Sequence, residues 1–315
     1  MISSNYSDNP HTVGRFAPSP TGPLHVGSLV AALGSYVMAK REGGLWLLRV
    51  EDLDTPRVVP GMADDILRTL EILGLRWDGE ILHQSRRTEV YREALDRLLR
   101  EGVAYPCGCS RAEIARSASA PHPGEEGPAY PGICRNGLPE GKKARAVRVR
   151  AGDEAISFQD GVMGVFSQKL SACGGDFVVK RADGPFAYQL AVVVDDAESG
   201  VNQIVRGADL LSSTPRQIHL QRLLGYPTPA YYHLPLVTGP AGTKLSKRDN
   251  AVSLASGRDL EREGHLLLYD ALRFLGQTPP LSLRGAACAE VLSWAVGHFS
   301  SDSIPRIPGS FHPRP

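Results

Sequence analysis

His25, Lys244 and Lys247 are the side chains of this sequence whose surroundings best suit a chain of phosphates. Residues 14–28 read GRFAPSPTGPLHVGS. Pro18, Pro20 and Pro23 cannot donate backbone hydrogen bonds and Gly22 tolerates positive φ, so residues 19–23 make a sharply shaped loop after a short strand. A helix follows at once, because Leu29, Val30, Leu33, Tyr36 and Val37 recur at the three- and four-residue spacings of one buried face. That places His25 in the first helical turn. An imidazole beside the open N–H groups of a helix start, at the carboxyl end of a strand in an open α/β sheet, is a phosphate site; a histidine that only caps or packs is the alternative. Far downstream, residues 239–250 read GPAGTKLSKRDN, in which glycines around two lysines make either a mobile loop that folds over phosphates or a plain basic surface.

Carboxylates and thiols form two further groups. Residues 45–50 (LWLLRV) are a mostly apolar run of the length of a buried parallel strand, and Glu51, Asp52 and Asp54 follow at its carboxyl end, where α/β ligands bind. Such carboxylates hold a metal, clamp a ligand or cap the helix that begins near Met62. Cys107 and Cys109, with Cys134 later, supply thiolates one short of the four ligands of a tetrahedral zinc site. His122 is available as the fourth, within the Pro-, Ser-, Gly- and Glu-rich excursion of residues 116–127; three ordinary buried cysteines are the other reading. Lys142, Lys143, Arg145, Arg148 and Arg150 either track RNA phosphates or form a solvated strand face.

The elements that must position these groups follow from periodicity and punctuation. Amphipathic helices are expected over residues 62–73 and 88–101, with Gly74 and Gly102 as C-terminal caps, and further helices over 214–224, 258–275 and 286–296. Residues 145–150 and 176–179 read as short strands, residues 190–194 (LAVVV) as a buried parallel strand ending in Asp195 and Asp196, and 203–205 as a strand before Arg206. Lys plus Arg total 35 against 34 for Asp plus Glu, so no global field draws the protein to nucleic acid or to an acidic membrane. Any RNA contact must come from local patches. No apolar run approaches the roughly eighteen residues of a membrane span, and the polar residues 1–12 have no signal-peptide core, so a soluble cytoplasmic protein is expected. The cysteine spacing is not that of a disulfide framework.

The string P-S-P-T-G-x-L-H-V-G resembles the first signature of class I aminoacyl-tRNA synthetases in the form used by the glutamyl and glutaminyl members, with Ser28 in place of the usual second histidine. Lys244, Leu245, Ser246, Lys247 and Arg248 are similar to the second signature, with leucine for its methionine and arginine for its final serine. Residues 49–57 (RVEDLDTPR), 186–196 and 203–217 resemble further segments of that catalytic domain, although Ala208 stands where the longer glutamyl enzymes usually carry glutamate. The glutamyl-queuosine branch of the family has C-x-C, then a tyrosine, x3 and a cysteine, a pattern that falls on Cys107, Cys109, Tyr130 and Cys134. The resemblance runs over about residues 13–275.

It implies an α/β fold: a class I synthetase Rossmann-type parallel sheet with an inserted zinc-binding α+β module, a short C-terminal helical region and no anticodon-binding domain. In these terms residues 1–12 are a flexible N-terminus, 13–104 and 185–238 the halves of the catalytic domain, 105–184 the inserted module apart from the sheet, 239–276 the lysine loop and a helical region, and 277–315 a Pro-rich end. L-Glutamate would lie against Arg15, Phe16, Ala17, Pro18, Ser19, Glu51, Tyr188 and Arg206, with Glu51 on its ammonium group and Arg15 and Arg206 serving its carboxylates. ATP, accompanied by Mg²⁺, would lie against His25, Gly27, Ser28, Lys244, Ser246 and Lys247, with His25 and Lys247 catalytic. One Zn²⁺ would take Cys107, Cys109, Cys134 and Tyr130. The activity implied is tRNA-independent formation of glutamyl-adenylate and transfer of glutamate to queuosine in the anticodon loop of tRNA(Asp). A minimal enzyme charging a tRNA 3′ end, or a non-catalytic glutamate or nucleotide sensor, is the alternative that Ser28 and Arg248 keep open.

Overall fold

The computed structural model describes residues 11–117, 130–238 and 253–311. His122, Lys244, Ser246, Lys247 and Arg248 lie outside the described residues. β1 (Val13–Phe16), α1 (Val26–Arg41) and β2 (Leu45–Val50) form a strand, helix, strand unit in which β1 and β2 are parallel, with Gly14 opposite Trp46 and Phe16 opposite Leu48. A parallel pair needs such a crossover, which leaves both strand ends pointing to one edge of the sheet. α2 (Met62–Ile72) leads to β3 (Leu82–His83), parallel to β2, and α3 (Thr88–Arg100) follows. Gly74 and Gly102 adopt φ of +77° and +69°, the left-handed backbone that terminates a helix without a Cβ penalty, as their positions lead one to expect.

β4 (Ala104–Cys107), α4 (Arg111–Ser117), β5 (Ala146–Val149), the hairpin of β6 (Ala155–Asp160) and β7 (Gly164–Lys169), and β8 (Phe177–Lys180) come next. β5 pairs antiparallel with both β4 and β8. The chain then runs through α5 (Tyr188–Glu198), β9 (Gln203–Gly207), α6 (Thr214–Leu223), β10 (Ala230–Leu234), β11 (Val237–Thr238), α7 (Leu260–Phe274), α8 (Cys288–His298) and β12 (Gly309–Ser310). β9 and β10 are parallel, and β9 is tied to β1 where Asn202 N–H donates to the Val13 carbonyl at 3.1 Å. Two layers of buried side chains flank the strands. One gathers α1, α7 and α8 around Leu33, Trp46 and Leu268; the other gathers α3, α5 and α6 around Tyr91, Val193 and Leu220. No helix among the described residues is long and apolar enough to cross a membrane.

Two expectations are corrected. Residues 190–194 are not a strand but the body of α5, in which Ala191 N–H bonds the Ala187 carbonyl and Ser199 N–H the Asp195 carbonyl. Leu190, Ala191, Val192, Val193 and Val194 are all buried. A helix packed on every side has no polar face, so its apolar run carries no 3.6-residue signal and its valines read as strand. Asp195 and Asp196 therefore belong to the last turns of a helix. Nor does the 105–184 stretch stand wholly apart from the main sheet, because Asp160 at the end of β6 pairs in parallel with Tyr231 of β10.

Candidate active site and buried thiol cluster

The proline-rich loop is pinned across the end of β2: Glu51 N–H donates to the Pro18 carbonyl and Val59 N–H to the Pro20 carbonyl, each at 2.9 Å. His25 follows in extended backbone, as the N-cap of α1 rather than in its first turn, and its Nδ1 accepts the Ser28 N–H at 3.2 Å. A side-chain acceptor there satisfies one of the N–H groups that a helix start leaves open, so His25 is both cap and wall of the site. Gly27 packs closely beneath the ring, where a Cβ would stand 3.0 Å from His25 Cε1 and press on the imidazole.

Arg15, Phe16, Ala17, Pro18, Ser19, His25, Gly27, Ser28, Glu51, Tyr188 and Arg206 all line one cavity of about 550 Å³. They arrive from the ends of β1, β2 and β9, the N-terminus of α1 and the first residue of α5. Lys244, Ser246 and Lys247 are not described, but the chain on both sides of their segment meets the site: Val237 lines the cavity, Ser253 bridges to His25, and Leu254 N–H donates to the Leu24 carbonyl at 2.9 Å.

Under the cavity lies a buried charge network. Asp196 Oδ1 accepts from Arg15 Nε at 3.1 Å and from Arg49 Nη1 at 2.6 Å, and Arg49 Nη2 reaches Glu51 Oε1 at 3.3 Å. Asp195 accepts from Gln84 Nε2 and Arg87 Nε, each at 2.7 Å, and from the Tyr91 hydroxyl at 2.8 Å. Burial works against ionisation of Asp196, yet the Arg15 and Arg49 guanidinium groups bring its pKa below the usual carboxylate range. For Glu51 burial wins over the same two cations, and its pKa is raised. Arg206 donates from Nε to His233 Nε2 at 3.1 Å and from Nη2 to the Thr214 hydroxyl at 2.8 Å, while its Nη1 has no hydrogen-bond partner among the described residues. A buried guanidinium nitrogen without a partner in a cavity-lining side chain is suited to an incoming carboxylate.

The other two carboxylates after β2 act elsewhere. Asp52 accepts from the Ser85 N–H and hydroxyl at 2.7 Å each, and Asp54 pairs with Arg57 and Arg181. Neither caps α2, which starts after Gly61 with no side-chain cap. Arg49, Asp195 and Asp196 were not among the expected site residues. Adjacent aspartates at the end of an apolar run were the available signal, and reading that run as a strand hid what they face.

Cys107, Cys109 and Cys134 are buried with their sulfur atoms within 4.8 Å of one another, a cluster that could hold a metal ion. Cys109 and Cys134 Sγ are 3.6 Å apart, and the Tyr130 hydroxyl lies 3.5 Å from Cys107 Sγ and 3.9 Å from Cys109 Sγ. A tetrahedron of sulfur ligands at about 2.3 Å has edges of roughly 3.8 Å, so the donor set is the right size. Tyr130 is fixed by its N–H to the Gly174 carbonyl at 3.0 Å and by the Arg148 guanidinium 3.9 Å over its ring. Burial and the neighbouring Cys134 thiol push Cys109 up to about 11. The basic cluster divides. Arg148 is buried against the Asp176 carbonyl, Arg150 bonds the carbonyls of Gly102 and Arg135, and Lys142 pairs with Glu113; Lys143 and Arg145 are exposed.

The family model of class I tRNA synthetases (E and Q), catalytic domain, matches residues 11–285. A glutamyl-Q tRNA(Asp) synthetase of Geobacter sulfurreducens is 67% identical over 306 residues, 97% of this chain and 98% of its own length. One from Dechloromonas aromatica is 57% identical over 93% of this chain and 95% of its own. Among solved structures, a glutamate tRNA ligase from Elizabethkingia meningosepticum in complex with its amino acid aligns with a TM-score of 0.79 at 27% identity, over 96% of this chain and 67% of that one.

Proposed function

Because the chain belongs to the class I tRNA synthetases of the E and Q group, and within it to the glutamyl-Q tRNA(Asp) synthetases, we propose that it activates L-glutamate with ATP and glutamylates queuosine in tRNA(Asp). The observation that carries the first half-reaction is the single cavity lined both by the cationic and anionic ends of β1, β2 and β9 and by the His25 corner. Glutamate presents two carboxylates and an ammonium group. Arg15 and the Nη1 of Arg206, which has no partner among the described residues, suit the carboxylates, Glu51 suits the ammonium, and Tyr188 and residues 16–19 shape the wall.

In activation, a carboxylate oxygen of glutamate attacks the α-phosphorus of ATP, and the bond to the bridging oxygen of pyrophosphate breaks. Little covalent chemistry is asked of the protein, so positioning and neutralisation of phosphate charge carry the rate. His25, Gly27 and Ser28 at the start of α1 would face the phosphates, and Lys244, Ser246 and Lys247 would meet them from the segment whose two ends flank the cavity. Mg²⁺ would accompany the ATP.

Zn²⁺ would be held by Cys107, Cys109, Cys134 and Tyr130, where it supplies a cross-link between the end of β4 and the segment that precedes β5. Cys134→Ser should bring bound zinc, measured by elemental analysis of the purified protein, from one per chain to a small fraction; undiminished stoichiometry ends the assignment.

The acceptor is tested with labelled glutamate and total tRNA from cells that make queuosine and from cells that cannot. Label should enter only the first preparation. Equal labelling of both would make the protein a 3′-end charging enzyme, and no labelling or pyrophosphate exchange with either would leave a sensor.

A further inference from the structure

Arg206 is held by a buried relay that begins on the β6–β7 hairpin. Asp160, at the end of β6, and His233, on β10, are 1% and 0% exposed. Asp160 Oδ1 accepts the N–H groups of Val162 at 3.0 Å, Met163 at 2.8 Å and His233 at 3.1 Å, and its Oδ2 lies 2.5 Å from His233 Nδ1. On its other side the imidazole faces Arg206 Nε at 3.1 Å. An arginine Nε–H can only donate, so His233 Nε2 must accept, and the one proton of the neutral ring must sit on Nδ1, pointing at Asp160. The Thr214 hydroxyl also stands 3.2 Å from His233 Nε2, beside the Arg206 Nε–H.

We propose that His233 is a positioning residue for the amino-acid substrate: braced by Asp160, it fixes the guanidinium plane of Arg206 so that Nη1 is presented to a substrate carboxylate. The inference rests on reading the cavity as a glutamate site. With Nε committed to His233 and Nη2 to Thr214, the guanidinium cannot turn about its long axis without breaking both bonds, and Nη1 is the nitrogen left over. Burial, with the Arg206 charge nearby, keeps the imidazole pKa below its ordinary value, in line with a neutral acceptor ring. Asp160 lies in the hairpin that β10 recruits into the main sheet, so the pairing of Asp160 with Tyr231 is what brings the two ends of the relay together.

Two substitutions separate positioning from mere core satisfaction. In His233→Asn the amide nitrogen stands where Nδ1 was and can still donate to Asp160, but nothing reaches Arg206. In His233→Gln the longer side chain can return a carbonyl oxygen to the place of Nε2. Glutamate-dependent ATP–pyrophosphate exchange should show KM for glutamate raised roughly tenfold or more in the Asn variant, with KM for ATP within about twofold of wild type and the glutamate value largely recovered in Gln. An Asn variant with wild-type glutamate KM, a Gln variant worse than Asn, or a loss shared equally between ATP and glutamate overturns the proposal. Should either variant fail to fold by thermal melting, the ring nitrogens of ¹⁵N-histidine-labelled wild-type protein decide the matter. A neutral Nδ1–H tautomer at His233 is required, and an Nε2–H tautomer or an imidazolium at neutral pH refutes it. Absence of glutamate-dependent exchange in the wild type itself would instead sink the functional reading, and this inference with it.

Discussion

Lys247→Ala is expected to lower glutamate-dependent ATP–pyrophosphate exchange by roughly a hundredfold or more, the scale of losing one charge-stabilising donor at a reacting centre. As the bond to pyrophosphate lengthens, negative charge collects on the leaving oxygens, and the described wall of the cavity offers that region the His25 corner but no lysine. The second signature places two lysines in residues 239–250, and the expected loss follows from the proposal that Lys247 supplies the cation. Its segment leaves the described chain at Thr238, next to cavity-lining Val237, and re-enters it at Ser253, bridged to His25. Glutamate binding measured calorimetrically without ATP should be almost unchanged in the variant, because Arg15, Glu51, Tyr188 and Arg206 lie on other elements. Near-wild-type exchange would refute the role given to Lys247, and weakened glutamate binding would show that the substitution acts through the fold.

What was legible in the sequence was local. The corner at residues 14–28 can be read because prolines that cannot donate, a permissive glycine and a helical stripe are properties of the residues themselves, and β2 matches its expected bounds at residues 45–50. The end of α1 that carries His25 was off by one position, from first turn to N-cap, which changes its chemistry from neighbour of the open N–H groups to partner of one of them. The thiol cluster was legible as spacing, whereas the phenol that joins it was visible only through the family pattern. Nothing local marks a tyrosine as facing sulfur. Arg206 is the clearest limit. By spacing it is an ordinary arginine, and what distinguishes it, the commitment of Nε and Nη2 to His233 and Thr214, depends on residues from β10 and α6. The basic cluster fails in the same way, because whether a guanidinium is solvated or consumed by carbonyls, as Arg148 and Arg150 are, is decided by chain segments distant in sequence. The misread run at residues 190–194 had a further cost, since placing Asp195 and Asp196 at a strand end concealed that both face arginines of the other half of the domain.

Asp196→Ala should be the most destabilising single change at the site. Its Oδ1 is the shared acceptor of Arg15, 3.1 Å away, and Arg49, 2.6 Å away, and all three side chains are at least 95% buried. Removing the carboxylate leaves Arg49 with Glu51 at 3.3 Å and Asp195 at 3.9 Å, and takes from Arg15 its ion pair. Loss of one member of a buried pair costs about 3–5 kcal/mol, because the surviving charge stays desolvated. For a chain of this size that is a fall in Tm on the order of 5–10 °C. The pH dependence gives a second readout. Asp196 has a depressed pKa, so its contribution is present above the unfolded carboxylate value near 3.8 and is lost as pH falls through the lower, folded value. Wild-type stability should therefore decline over that acid range, and the gap between wild type and Asp196→Ala should narrow as the pH drops through it. Asp196→Asn, which keeps one oxygen acceptor but no charge, should fall between the two at neutral pH. A Tm for Asp196→Ala within a degree or two of wild type would mean that Arg15 and Arg49 are held in place by something other than this carboxylate, and the buried network would lose its claim to organise the floor of the cavity.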